Sequence, residues 1–173
     1  MIPRKLVVLL LALLIAAAPA CRAAGREDYD MPYYILVDLE NQIVTVYDTA
    51  TDAVVRQMLC SSGRNITPVG TFIMPRGRTD RDRKPWYYIA IYDRFVKYAT
   101  RIYDMILFHS IPYTSKGGSQ PSHMVKALGT AASSGCVRLR DADAYWIAMN
   151  CLPGTKVRIY KSLVPNPDLH ELL

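Results

Sequence analysis

Histidine and cysteine are scarce in this 173-residue chain, three and four respectively. No two of them stand at the spacings that metal sites use, so the sequence offers no metal centre. Recognisable nucleic-acid-binding motifs are missing too, as are internal repeats and low-complexity segments. Past the first 20 residues no apolar run approaches the ~20 residues that a membrane helix requires. What remains is about 150 residues, enough for one domain with a proper core.

The one long apolar run is N-terminal. Arg4 and Lys5 form a basic start, Leu6 to Ala18 is continuously apolar, and Ala18-Pro19-Ala20 fits an A-x-A cleavage site. This pattern predicts an export signal over 1–20, since 13 apolar residues are short for a span. Cys21 directly follows and invites lipidation, although Ala18 stands where such sites usually carry leucine. Simple secretion and a retained N-terminal anchor are the alternatives. The expected location is outside the cytoplasm: cell wall, periplasm or the outer face of the membrane. The chain's formal net charge is +6. Without Arg4 and Lys5 it stays mildly basic, which suits an anionic cell wall or phospholipid headgroups and serves equally as a solubility charge.

Residues 21–32 read as a tether. Strand signals then follow at 33–39, 42–47, 54–60, 71–74, 86–92 and 103–108, rich in β-branched and aromatic residues and separated by turn residues. Pro75 to Pro85 is the most basic loop, either a solvated loop or a flap over a polyanionic substrate. Residues 110–132 form a long Gly- and Pro-containing connection. Only one helix is predicted, after Asp141 as its cap, with Tyr145, Ala148 and Met149 on one face. Thr155 to Tyr160 closes the sheet, and 162–173 is a polar tail in which His170 is expected to be solvated.

The chemistry concentrates at Ser133-Ser134-Gly135-Cys136-Val137-Arg138-Leu139 and at His109-Ser110. A thiol at the mouth of a strand, with a histidine to deprotonate it, is the minimal equipment for nucleophilic acyl transfer. A free thiol of pKa ~8.5 is barely ionised at neutral pH and needs such a partner. Cys60 and Cys151 remain. In an oxidising compartment they form a possible disulfide, the alternative being two small buried thiols.

Four segments in this order resemble the L,D-transpeptidase catalytic domain, the YkuD family of bacterial cell-wall synthesis. They are the strand pair around Asn41-Gln42, Ser61-Ser62-Gly63 with Thr67-Pro68-Val69-Gly70-Thr71-Phe72, Leu107-Phe108-His109-Ser110, and Leu128-Gly129 followed by the cysteine segment. The resemblance runs from about Tyr34 to Tyr160. It implies a mainly β fold, an L,D-transpeptidase-type β-sandwich with one main helix after the catalytic cysteine, occupying 33–161.

The same resemblance implies catalysis by Cys136 and His109 on peptidoglycan stem peptides, through a cysteinyl thioester and without a cofactor. Ser110, Gly135 and Ser134 are the candidate supporting residues. Arg138, Trp86 and Tyr88 are the candidates for substrate binding, with Tyr87 beside them; core packing is the alternative for the aromatics. Two departures stand out. Ser134 occupies a position where the family usually has histidine, and 27 residues separate His109 from Cys136, a wider gap than the family signature. His123 lies in that extra stretch, either as a surface residue or as a replacement for the missing histidine. The rival readings are an L,D-carboxypeptidase with water as acceptor, a sortase-like enzyme, and a non-catalytic wall-binding module that kept the fold.

Overall fold

The computed structural model describes residues 31–75, 83–166, 168–171 and 173. The export signal, Cys21, most of the tether and the middle of the basic loop, 76–82, lie outside the described residues. In chain order the strands are β1 Tyr33–Asp38, β2 Ile43–Asp48, β3 Val54–Leu59, β4 Gly70–Ile73, β5 Tyr87–Ile89, β6 Arg94–Val96, β7 Thr100–Tyr103, β8 Ile106–Ser110, β9 Val137–Leu139 and β10 Lys156–Tyr160. The helices are α1 Ser122–Lys126, α2 Asp141–Asn150 and α3 Asp168–Glu171.

Two sheets and a helix enclose the core. The larger sheet has the order β3-β2-β1-β10-β4, with β1 and β10 parallel and the other pairs antiparallel. Its inward positions alternate strictly: Ile35 and Val37, Val44 and Val46, Met58, Val157 and Ile159 are all buried. The smaller sheet, β7-β8-β9, joins an antiparallel pair to a parallel one. It contributes Ile102, Phe108, Val137 and Leu139 to the same core, and α2 adds Ala144 and Ile147. Burying side chains of this size stabilises the fold by about 1.5–3 kcal/mol each. That gain decides which face of β8 and β9 turns inward. Because side chains alternate with period two, it also leaves the opposite face to Leu107, His109, Cys136 and Arg138.

The mainly β sandwich with one principal helix after Cys136 agrees with the sequence, and several details differ. The apolar stretch 103–108 conceals a turn: Asp104 adopts a left-handed φ of 41°, and two strands replace one. The long connection contains α1, with His123 exposed on it. In α2 the cap is Arg140, and Asp141 is the first helical residue. Its buried face carries Asp143, Ala144, Ile147 and Ala148, whereas Tyr145 and Met149 are about half exposed. The inward face is the one on which Ala144, Ile147 and Ala148 bury in the core, with Arg56 pairing with Asp143 at 2.7 Å beside them.

The C-terminal segment is also packed. Ser162 and Asn166 bond to the side chains of Asp38 and Asn41, and His170 Nε2 donates to the Asn41 carbonyl at 2.6 Å. His170 is therefore half-buried and not solvated.

Cys60 and Cys151 are free thiols, which corrects the disulfide expectation. Both belong to the main core cluster, and burial pushes Cys60 well above the ordinary thiol range and Cys151 up to about 12. They serve as small apolar residues. Alkylation in denaturant without reductant should modify both as fully as alkylation after reduction, as read by peptide mass. Protection of either before reduction would contradict the free-thiol state.

Candidate active site

The parallel register of β8 and β9 sets Phe108 beside Val137, His109 beside Arg138 and Ser110 beside Leu139. Cys136 stands two positions before Arg138 at the entry of β9, so its side chain shares the outward face with Arg138, His109 and Leu107. The half-buried thiol packs into a small satellite core of Val96, Ala99 and Leu107, together with Tyr87 and Ile89. The positive charge of Arg138 is felt by both Cys136 and His109, which places the three groups in one electrostatic neighbourhood.

His109 is 3% exposed. Burial, opposed by its bond to Ser110 and reinforced by Arg138, depresses the imidazole from 6.5 to about 4. Nδ1 lies 2.6 Å from the backbone carbonyl of Ser110, which can only accept. Nδ1 therefore carries the proton, and Nε2 keeps its lone pair. Burial raises the Cys136 thiol, partly offset by the Leu107 backbone, Arg138 and Arg101. At neutral pH the two groups are therefore a thiol and a neutral imidazole, and not an ion pair.

The loop before Cys136 is held from below. Gly135 has φ 122°, a conformation that favours glycine. Gly63 lies directly against it: a Cβ on Gly63 would fall 2.6 Å from Gly135 Cα and N. Thr67 bridges the two glycines, its hydroxyl accepting from Gly63 N at 2.7 Å and donating to the Gly135 carbonyl at 2.8 Å. Ser133 is the second brace, with Oγ accepting from Gly135 N at 3.1 Å and donating to the Cys136 carbonyl at 2.5 Å. Further back, Ser62 O accepts the amides of Ala132 and Ser133, and the Ser62 amide and hydroxyl are both bonded to Gln42. Gln42 is buried at φ 53°, a strained backbone held in place by these bonds.

Ser110 is buried; its carbonyl holds His109, while its hydroxyl accepts from Lys97 N and donates to the Ile111 carbonyl. Arg138 Nη1 braces the loop through the Ala132 carbonyl at 3.1 Å, and its buried Nε has no hydrogen-bond partner among the described residues. Ser134 is exposed.

The aromatic candidates divide by strand alternation. Tyr87 and Ile89 pack into the satellite core with Cys136, whereas Tyr88 bonds to Asp93 and Trp86 packs edge-on to Tyr113. Of the three aromatics, Tyr87 is the one packed in the same cluster as Cys136. Sequence reasoning also overlooked Ser133 and Thr67 as braces. Their signal was a small hydroxyl residue beside each glycine-containing turn, which is not distinguishable from ordinary turn chemistry.

Thr67→Val preserves shape and removes both bonds, leaving two buried backbone groups unpaired. It should cost at least about 1–3 kcal/mol in urea unfolding and slow Cys136 alkylation. The depressed imidazole has a separate consequence. Between pH 6.5 and about 4 the unfolded chain binds the His109 proton and the folded chain does not. This contribution is fully present above pH 6.5 and falls away by roughly 3 kcal/mol as pH drops to 4. His109→Gln should flatten that part of the pH dependence in urea titrations.

The YkuD model, described as the L,D-transpeptidase catalytic domain, matches residues 32–159. YciB of Bacillus subtilis, whose name places it among the L,D-transpeptidases, is 29% identical over 133 residues, covering 73% of this chain and 66% of that protein. An L,D-transpeptidase from Mycobacterium smegmatis superposes with a TM-score of 0.57 at 21% identity, over 75% of this chain and 58% of that one. The transpeptidase LdtMt1 in complex with imipenem gives 0.57 at 19% identity, over 75% and 59%. The chain thus spans just under two thirds of the length of the curated relative. With the match covering most of its length, the chain belongs to the YkuD family of L,D-transpeptidase catalytic domains.

Proposed function

We propose that this protein is an exported L,D-transpeptidase that joins peptidoglycan stem peptides through a thioester on Cys136. The observation carrying this reading is the neutral His109, its Nδ1–H committed to the Ser110 carbonyl and its Nε2 free on the face that also bears the thiol. Nε2 takes the thiol proton as sulfur bonds to the carbonyl carbon preceding a terminal D-alanine. The carbonyl electron pair moves to oxygen and then returns, expelling the D-alanine amine, which takes the proton from the imidazolium. A thioester remains. An acceptor amine attacks it next, Nε2 removes the amine proton, and the leaving thiolate recovers it.

The Gly135 amide is already taken by Ser133, so the Ser134 and Cys136 amides are the loop's donors for the transient oxyanion. This role needs only the backbone of Ser134, and the reaction thereby tolerates serine at that position. A substrate of this kind lies outside the cytoplasm, and the basic, apolar and A-x-A segments of 1–20 supply the export signal that the reading requires.

Defined tetrapeptide stems, incubated with the purified protein and read by mass, should give cross-linked dimers and free D-alanine. Trimmed tripeptide alone would instead mark a carboxypeptidase. Cys136→Ala and His109→Ala should each abolish turnover, with His123→Ala near wild type. Imipenem should leave a single adduct on Cys136 by intact mass; no adduct and no turnover would overturn the enzyme reading. The base must be neutral, so kcat/KM should hold as pH falls past 6.5 and decline only near pH 4.

A further inference from the structure

The inserted connection after His109 does not hang free of the site. Tyr113 exchanges two backbone bonds with Phe95, at 2.7 and 3.2 Å, and its phenol donates to Asp141 Oδ2 at 2.5 Å. Gln120 Nε2 donates to Asp141 Oδ1 and to the Ile111 carbonyl, both at 3.0 Å. Lys97, the residue after β6, places its ammonium 2.8 Å from Asp141 Oδ2. The same ammonium lies 4.9 Å from the Trp86 ring centre and 4.7 Å from that of Tyr113. One carboxylate thus gathers three segments: the end of β6, the connection after β8, and the start of α2, which follows the cysteine strand.

The backbone of Lys97 grips the residue that orients the base. Its amide donates to Ser110 Oγ at 2.9 Å, and its carbonyl accepts from the Ser110 amide at 3.1 Å. Ser110 cannot rotate without breaking both bonds, and its carbonyl is the group that holds His109 Nδ1.

We infer that Asp141 is a positioning residue for acyl transfer: by anchoring Lys97 it fixes Ser110, and with it the tautomer and aim of His109. The inference rests on the acyl-transfer reading for its kinetic consequence but not for its structural one. An isolated exposed ion pair contributes little, about 0–1 kcal/mol. This one is about two-thirds or more shielded on both side chains, flanked by two aromatic faces and joined to two further donors. Its arrangement carries orientation more than stability. Asp141 touches neither the thiol nor the imidazole and acts through Lys97 and Ser110.

The experiment compares Asp141→Asn, Lys97→Met and Lys97→Arg with wild type in the full chain. Long-range nitrogen–proton NMR of histidine reads the His109 tautomer without substrate. Wild type should show the Nδ1–H form alone. Asp141→Asn and Lys97→Met, folded by circular dichroism, should show a mixture with the Nε2–H form. Lys97→Arg, which keeps the cation, should return to the wild-type pattern. With stem peptide, kcat should fall about 10- to 100-fold in the first two variants, with KM within about twofold.

A folded Asp141→Asn or Lys97→Met that keeps the single tautomer overturns the inference, whatever its melting temperature. Should Asp141→Asn fail to fold, Lys97→Met decides alone, because it leaves the backbone grip on Ser110 chemically intact. A wild-type protein without turnover would defeat the transpeptidase reading and leave the tautomer result standing.

Discussion

The backbone contact between Gly63 and Gly135 is the constraint on which the site depends. Two strand-end segments, one leaving β3 and one entering β9, approach so closely that Gly63 has no room for a side chain, while Gly135 is held at a φ of 122° that favours glycine. Thr67 fills the remaining gap with two hydrogen bonds, and Ser133 closes the far side. Interiors at this density transmit displacement because there is no slack to absorb it. The position of Cys136 is therefore decided by the residues packed beneath its loop.

A second division of labour is electrostatic. The site lowers the basicity of His109 through burial and raises the Cys136 thiol by the same means, so neither group is charged at rest. Burying two neutral groups avoids the large penalty of burying an isolated ion. Arg138, braced on Ala132, is the nearby fixed positive charge that favours thiolate over thiol and disfavours imidazolium.

Much of this was legible in the sequence where local chemistry and tertiary need coincide. The β-rich runs at 33–39 and 42–47 marked core strands, and Gly135-Cys136 with His109 marked two segments that the fold brings to one face of the small sheet. Legibility failed where a long-range partner overrode a local signal. Asp143 reads as a solvated helix residue until Arg56, 87 positions earlier, supplies its charge partner. Tyr103 to Phe108 reads as one strand because only the backbone at Asp104 reveals the turn. Trp86, Tyr87 and Tyr88 were all offered for the cleft, because alternation alone does not say which face of an isolated hairpin packs with Cys136. The two cysteines offered as a pair differ from bonded ones only by their surroundings, which composition does not report.

The central pair of the large sheet is β1 with β10, the first and last strands of the domain, lying parallel and registered from Tyr34–Lys156 to Asp38–Tyr160. The segment that follows β10 then straps onto the turn that contains Gln42, and Gln42 in turn steadies the cysteine loop. Such pairing is about as non-local as the chain permits, and non-local contacts form late and slowly. Until β10 is in place, β1 keeps one edge open and β4 has no strand partner in the sheet. His109 and Cys136 both precede β10 in the chain, so the large sheet that backs the site closes only after both have been made.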